Sequence, residues 1–145
     1  MAYEIEEASL SEALNLLGQL PEFDQLRPLD YYEQMLKSKA QLILVAKHNR
    51  KTVGCKLGYD RFEDGSFYSW LGGVLPAHRK SGVAWKLARH QEEWARKTGF
   101  GSIKFKTQNR HKAMLQFAIK NGFSIYNVKS KDELELYRIE LIKKL

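Results

Sequence analysis

Between Val74 and Leu87 the chain reads VLPAHRKSGVAWKL, a strand-like run that meets a basic turn and then, at once, a helical pattern. The residue types of this turn are those of an anion seat. The first amide N–H groups of a helix have no partners within it, and the helix dipole places about half a positive charge there. Gly82 and the small Ser81 and Ala84 let a phosphate approach the backbone, Val83 supplies a further amide, and Arg79 and Lys80 add formal charge. Strand, short turn and helix N-terminus in this order favour a pyrophosphate. The alternative is a solvated turn that merely enters a surface helix. The turn is neither a Walker loop nor a dinucleotide fingerprint, because it contains one glycine where those need two or three at set spacings. Just ahead of it, Gly72-Gly73 marks a bulge or a close backbone approach.

Other reactive residue types are scattered. His48, His78, His90 and His111 have no ligand spacing with one another or with Cys55, so no metal site is expected. Cys55 lies in TVGCKLGY, which alternates like a strand, and reads as a small core residue. His78 and His111 stand beside turns where an imidazole meets either phosphate or solvent.

The elements that must position the turn follow from the hydrophobic pattern. Tyr3 to Ala8 reads as a strand, and Ser9 to Glu12 is a capping box that opens a helix to about Leu20, ended by Pro21. A second capping box, Asp30 to Glu33, opens a short helix from about Tyr31 to Lys37. QLILVAKH and TVGCKLGYD form a hairpin, and FYSWLGGV is the third strand of the meander. From Gly82, the residues Val83, Ala84, Leu87, Ala88, Gln91, Trp94 and Ala95 share one helical face up to Gly99. SIKFKT is a strand, Asn109 is placed to cap a helix from about Lys112 to Asn121, and FSIYNV and ELELYRIEL are closing strands. The order is β-α-α-β-β-β-α-β-α-β-β. The strand 67–74, helix 82–98, strand 102–107 unit requires a parallel pair, so the sheet is mixed but mostly antiparallel, an α+β sandwich with helices on its faces.

Bulk properties limit the function classes. The chain has 145 residues, 43% hydrophobic and 28% charged, with no run of the roughly 18 apolar residues that a membrane span needs. A single domain over residues 1–145 is expected, with no membrane partner. MAYEIEEASL lacks the pattern of a secretory signal, and a cytoplasmic protein is expected. The net charge of +7 is unevenly spread: residues 78–112 carry 10 Lys/Arg against 2 Asp/Glu, while residues 1–77 carry 8 against 11. The positive excess therefore sits at and after the turn, where a small anionic ligand, a nucleic acid or a membrane surface are the open choices.

Together, RKSGVA (Arg79 to Ala84) and the downstream NRHKAMLQFAIKNGF resemble the GNAT superfamily of acyl-CoA-dependent N-acetyltransferases. The turn matches that family's [RQ]-x-x-G-x-[GA], and Asn109, Ala113, Phe117, Gly122 and Phe123 match its second motif. The resemblance implies acetyl-CoA as donor, with its pyrophosphate on the amides of residues 80–84 and its pantetheine paired like an added strand near Val74. It places Val74, Arg79, Lys80, Ser81, Gly82, Val83, Ala84, Asn109 and Phe117 at the donor site. It implies acetyl transfer to a primary amine of a small molecule or peptide by direct attack.

Such a transfer needs a neutral amine, a held thioester carbonyl and a proton for the departing thiolate. Where the family often has a tyrosine for the last task this chain has Phe117, and FYSWLGGV contains no carboxylate. Candidates for the proton chemistry are Glu22, favoured because Phe23 beside it would partly desolvate it, and Tyr59, Asp60, Tyr68, Ser69 and Asn109. The acidic segment Glu22, Asp24, Asp30 and Glu33 would suit a cationic acceptor. Two other readings stand beside this one: an acyl-CoA-sensing module without turnover, and a basic nucleic-acid binder on Arg79 to Lys112, for which no recognition motif is present. Monomer and homodimer both fit the sequence.

Overall fold

Alternating apolar residues build strands that need a covered face, and in the computed structural model, which describes residues 2–145, seven of them share one sheet. The elements are β1 (Glu4–Glu7), α1 (Leu10–Leu17), α2 (Leu29–Leu36), β2 (Gln41–His48), β3 (Lys51–Tyr59), β4 (Ser66–Val74), α3 (Val83–Thr98), β5 (Ser102–Gln108), α4 (Lys112–Lys120), β6 (Ser124–Lys129) and β7 (Arg138–Lys144). Short 3₁₀ turns at Pro76–His78 and Leu134–Leu136 lead into α3 and β7. The strand order is β1-β2-β3-β4-β5-β7-β6. Only β4 and β5 run parallel among the described residues, as the β4–α3–β5 crossover requires.

Helices cover both faces, unequally. On one face Ala13, Leu16 and Leu17 of α1 pack on Val45, Cys55 and Leu57, and Leu36 of α2 packs with Tyr59 and Tyr68. On the other, Val83, Leu87 and Ala95 of α3 pack on Leu44, Val53, Phe67, Val74 and Ile103, and Ala118 of α4 packs on Ile139 and Leu141. Neither apolar cluster under α1 and α2 contains a residue of β5, β6 or β7. That face of the three strands is therefore left open, and by the period of two it carries Lys104, Lys106, Arg138 and Glu140.

Several expected boundaries move. Ser9 Oγ accepts the Glu12 N–H, as the capping box requires, but α1 ends at Leu17 rather than Leu20. Gly18 is unfavourable in a helix interior, and the chain tightens into i→i+3 bonds from Gln19 and Leu20. Asp30 is not the cap of α2. Pro28, with φ −61° and ψ 155°, is, so that Asp30 falls inside the first turn, where its charge complements the dipole. ELELYRIEL is not one strand, because Leu134–Leu136 turn before β7 begins at Arg138.

The bulge also lies elsewhere. Gly72 and Gly73 pair regularly with Lys56 and Cys55, while Leu57–Gly58 face Leu71 and Ser69, leaving Trp70 as the extra residue. Gly73 is instead a close approach, since a Cβ there would lie 2.3 Å from Leu20 Cδ1. Gly58 is the stricter position. A Cβ there would stand 2.3 Å from the Tyr68 carbonyl oxygen and 2.6 Å from the Phe67 ring, and backbone cannot yield as a leucine tip can. Gly58→Ala should lower the unfolding free energy by about 3 kcal/mol, read as a reduced urea midpoint. A loss below about 1 kcal/mol would mean that the bulge tolerates sliding.

Candidate active site

The bulge opens the sheet. The parallel ladder between β4 and β5 covers only Ser66–Tyr68 against Ser102–Lys104. Beyond it β4 follows β3 to Val74, and β5 follows β7 to Gln108, because the extra residue at Trp70 bends β4 away. Leu75 donates its N–H to Val53 O at 2.8 Å. Backbone groups alternate along a strand, so the N–H and C=O of buried Val74 point to the other edge, into the opening. Its carbonyl accepts from Arg79 Nε at 2.9 Å, and its N–H faces the gap between the strands.

At the end of this edge stands the turn. Gly82, with φ 84°, starts α3 without a side-chain cap, and the first turn contains no acidic residue. The first bond back to the turn is Lys86 N–H to Gly82 O at 3.0 Å, which leaves the amides of Val83, Ala84 and Trp85 for an anion. Lys80 also has a left-handed φ of 61°, and Lys80, Ser81 and Ala84 are exposed around the amides. Arg79 is engaged differently from the expectation that it adds charge there. Its Nη2 donates to Glu22 Oε1 at 2.7 Å, so the guanidinium ties the end of β4 to the α1–α2 loop.

This pairing changes the standing of Glu22. Its side chain is 44% exposed and held by Arg79, not desolvated beside Phe23 as the sequence implied. Across the opening, at the start of α4, burial and the neighbouring Arg110 hold the His111 imidazole below its usual value, while Glu22 acts in the opposite direction. Glu22 thus reaches electrostatically from the β4 side of the opening to the β5 side. Asn109 is not the cap of α4; His111 occupies that position, with no side-chain cap. Asn109 Nδ2 donates to Leu134 O at 3.2 Å and its Oδ1 accepts from Lys112 Nζ at 3.0 Å, which fastens the β5–α4 turn to the segment before β7. Phe117 is half-buried on α4.

On the α1/α2 side, Tyr68 and Tyr59 meet edge to face with centroids 5.9 Å apart, and Tyr59 packs on Trp70 at 5.0 Å. Burial pushes both phenols up, so at neutral pH each holds its proton. Ser69 is half-buried at the bulge. Asp60 shapes the β3–β4 turn by accepting the Glu63 N–H at 3.1 Å. Asp24, Asp30 and Glu33 are exposed. Arg61, unremarkable in the sequence, places its guanidinium carbon 5.0 Å from the Tyr68 ring centre, and Lys106 Nζ lies 5.9 Å from the same ring. Their signal was too weak to find from sequence, since a turn arginine and an alternating lysine are ordinary surface residues until the sheet brings them together.

The remaining reactive side chains lie apart from the opening. Cys55 is buried, its thiol pushed up to about 12 by desolvation and turned to Ala13 O. His78 Nδ1 meets Tyr3 OH at 3.1 Å, with the His48 ring 5.5 Å away, so this imidazole turns from the α3 N-terminus toward β1. His90 lines a groove of about 340 Å³ between α3 and β1, on the flank of α3 away from the strand opening. Among the described residues no group of three His, Cys, Asp or Glu is placed to hold a metal ion, and no helix is long and apolar enough to cross a membrane.

Comparison with known proteins follows the same outline. Residues 6–123 match the model of the acetyltransferase (GNAT) family. Aminoglycoside N(6')-acetyltransferase type 1 of Acinetobacter haemolyticus is 36% identical over 97 residues, 62% of this chain and 67% of that protein. Among solved structures, IAA acetyltransferase from Bacillus cereus ATCC 14579 superposes with a TM-score of 0.79 at 21% identity, covering 99% of this chain and 100% of that one. The ribosomal-protein-S18-alanine N-acetyltransferase from Escherichia coli gives 0.81 at 11% identity over 99% and 94%. A GNAT family acetyltransferase from Elizabethkingia anophelis with acetyl-CoA bound gives 0.78 at 17% identity over 99% and 98%. At these identities the structures speak for the fold.

Proposed function

The chain belongs to the acetyltransferase (GNAT) family, and we propose that it moves an acetyl group from acetyl-CoA to a primary amine of a small molecule or peptide by direct attack. One observation carries this reading: the open edge at Val74 runs straight into a helix without a side-chain cap, whose N-cap residue, Gly82, has a left-handed φ. An extended amide chain fits the edge, and a pyrophosphate fits the free amides of Val83, Ala84 and Trp85.

The donor therefore lies toward the α3/α4 face, and the acceptor comes from the α1/α2 face. The Val74 N–H donates to the thioester oxygen as that oxygen gains charge. The amine nitrogen bonds to the acetyl carbon as the carbon–sulfur bond breaks, and the amine's proton passes to His111, which burial and Arg110 keep neutral at pH 7. Glu22 stabilises the imidazolium formed, while itself oriented by Arg79. Phe117 offers no proton to the sulfur. A thiolate with a conjugate-acid pKa of about 8.5 is a good leaving group and takes its proton from water.

Thermal shift tests the donor site. Acetyl-CoA at about 100 times its Kd should raise Tm by roughly 5–10 °C, with free phosphate and ATP giving much less. Equal shifts from all three would reduce the site to a general anion seat. Firm acetyl-CoA binding without turnover of any amine would favour the sensing module, which Phe117 and the carboxylate-free β4 make the second reading.

A further inference from the structure

The face from which the acceptor comes is cationic. Lys104, Lys106 and Arg138 occupy the uncovered side of β5 and β7, Arg61 reaches over Tyr68 from the β3–β4 turn, and Lys129 stands on β6. Among the described residues, Asp64 and Glu140 face them. Asp64 holds Lys104 at 2.9 Å, and buried Glu140 lies 3.7 Å from Lys129. Arg61, Lys106 and Arg138 form no ion pair among the described residues. They nevertheless crowd one another: burial, Arg61 and Arg138 all disfavour the charged form of Lys106, and Glu140 only partly offsets them. Beside them a cavity of about 190 Å³ is lined by Lys106, Thr107, Gln108, Lys131, Leu136 and Arg138, three cations with no carboxylate. The exposed rings of Phe62 and Tyr126 flank this face.

Like charges held together with one carboxylate, Glu140, to offset them destabilise a fold unless a ligand supplies the missing charge. We propose that the acetyl acceptor is an amine bearing an anionic group, carboxylate or phosphate, seated among Arg61, Lys106 and Arg138 while its nitrogen reaches the Val74–His111 end of the opening. This rests on the acetyl-transfer reading above and adds the class of acceptor to it. Lys106 precedes the end of β5 by two residues, about 7 Å along the strand, and 190 Å³ suits a short chain rather than a large polycation. The acidic N-terminal segment, which by sequence would attract a cation, is not free to do so at Glu22, which Arg79 occupies.

The test uses matched acceptors of one chain length, 5-aminopentanoate, pentylamine and 1,5-diaminopentane, together with 3-aminopropyl phosphate. The anionic amines should lead in kcat/KM, the diamine should trail by tenfold or more, and the better anion names the source. Lys106→Glu and Arg138→Glu should invert that order by raising KM for the anionic amines. In parallel, glutarate should stabilise the acetyl-CoA-loaded protein against heat, and should lose that effect in Lys106→Glu. A diamine preferred by the wild-type protein, or no glutarate effect where no amine turns over, would overturn the proposal. A missing acetyl-CoA shift in the same series would instead sink the donor site, so the two failures are distinct.

Discussion

Ala84→Asp should weaken acetyl-CoA binding roughly 30- to 100-fold and leave the fold as stable as before. Ala84 is exposed at the second position of α3, where the amides are uncapped and the first turn has no acid. A carboxylate there complements the helix dipole, worth about 0.3–1 kcal/mol, which offsets the lower helix propensity of aspartate. The unfolding free energy should therefore stay within about 0.5 kcal/mol of the parent. The same carboxylate would stand within a few ångströms of a seated pyrophosphate, and like-charge repulsion near a protein surface amounts to about 2–3 kcal/mol at such separations. Opposite demands on one position make the result diagnostic. Calorimetric titration with acetyl-CoA gives the affinity and urea unfolding gives the stability. An unchanged Kd with an unchanged midpoint would place the pyrophosphate elsewhere.

Turnover should fall about 100-fold in His111→Gln, and the pH profile should lose its acid limb. An imidazole that burial and Arg110 hold below the usual histidine value accepts protons only above that lowered pKa, so kcat/KM should rise through a limb below about pH 6.5. Using one acceptor throughout keeps the amine's own titration common to all variants. Glu22 separates this assignment from a carboxylate base. Its anion favours the imidazolium and raises the pKa of His111, so Glu22→Gln should move the limb to lower pH and retain turnover at pH 7. Were Glu22→Gln inactive at every pH while His111→Gln kept its limb, the carboxylate would be the base. Stability should hardly distinguish the variants, since an ion pair as exposed as Arg79–Glu22 contributes at most about 1 kcal/mol.

Local chemistry explains which features could be read in advance. The element order, the β4–α3–β5 crossover and the helix start at Gly82 depend on periodicity, capping and glycine, which act over a few residues. Structure departs from local pattern where a local signal has a competitor. Asp30 has the form of a cap, but Pro28 two residues earlier already sets the required φ; Asn109 has it too, but its amide is taken by Leu134, 25 residues away. The Gly72-Gly73 pair is visible in the sequence, whereas the strict requirement at Gly58 comes from the Tyr68 backbone on the neighbouring strand.

The amino-acid order by itself determined that a helix begins at an uncapped glycine among basic residues after a strand, because amide geometry and charge there are properties of six consecutive positions. Only the tertiary structure decided what else faces the opening. Arg79, basic in a basic turn, clamps Glu22 from 57 residues away, and His111, open by sequence to phosphate or solvent, lies within the electrostatic reach of Glu22 across the gap. Arg61, Lys106 and Arg138 lie far apart in the chain and share one face only through strand register. Charge acts through space within a Debye length of about 8–10 Å, and sequence distance does not report that space until the sheet has closed.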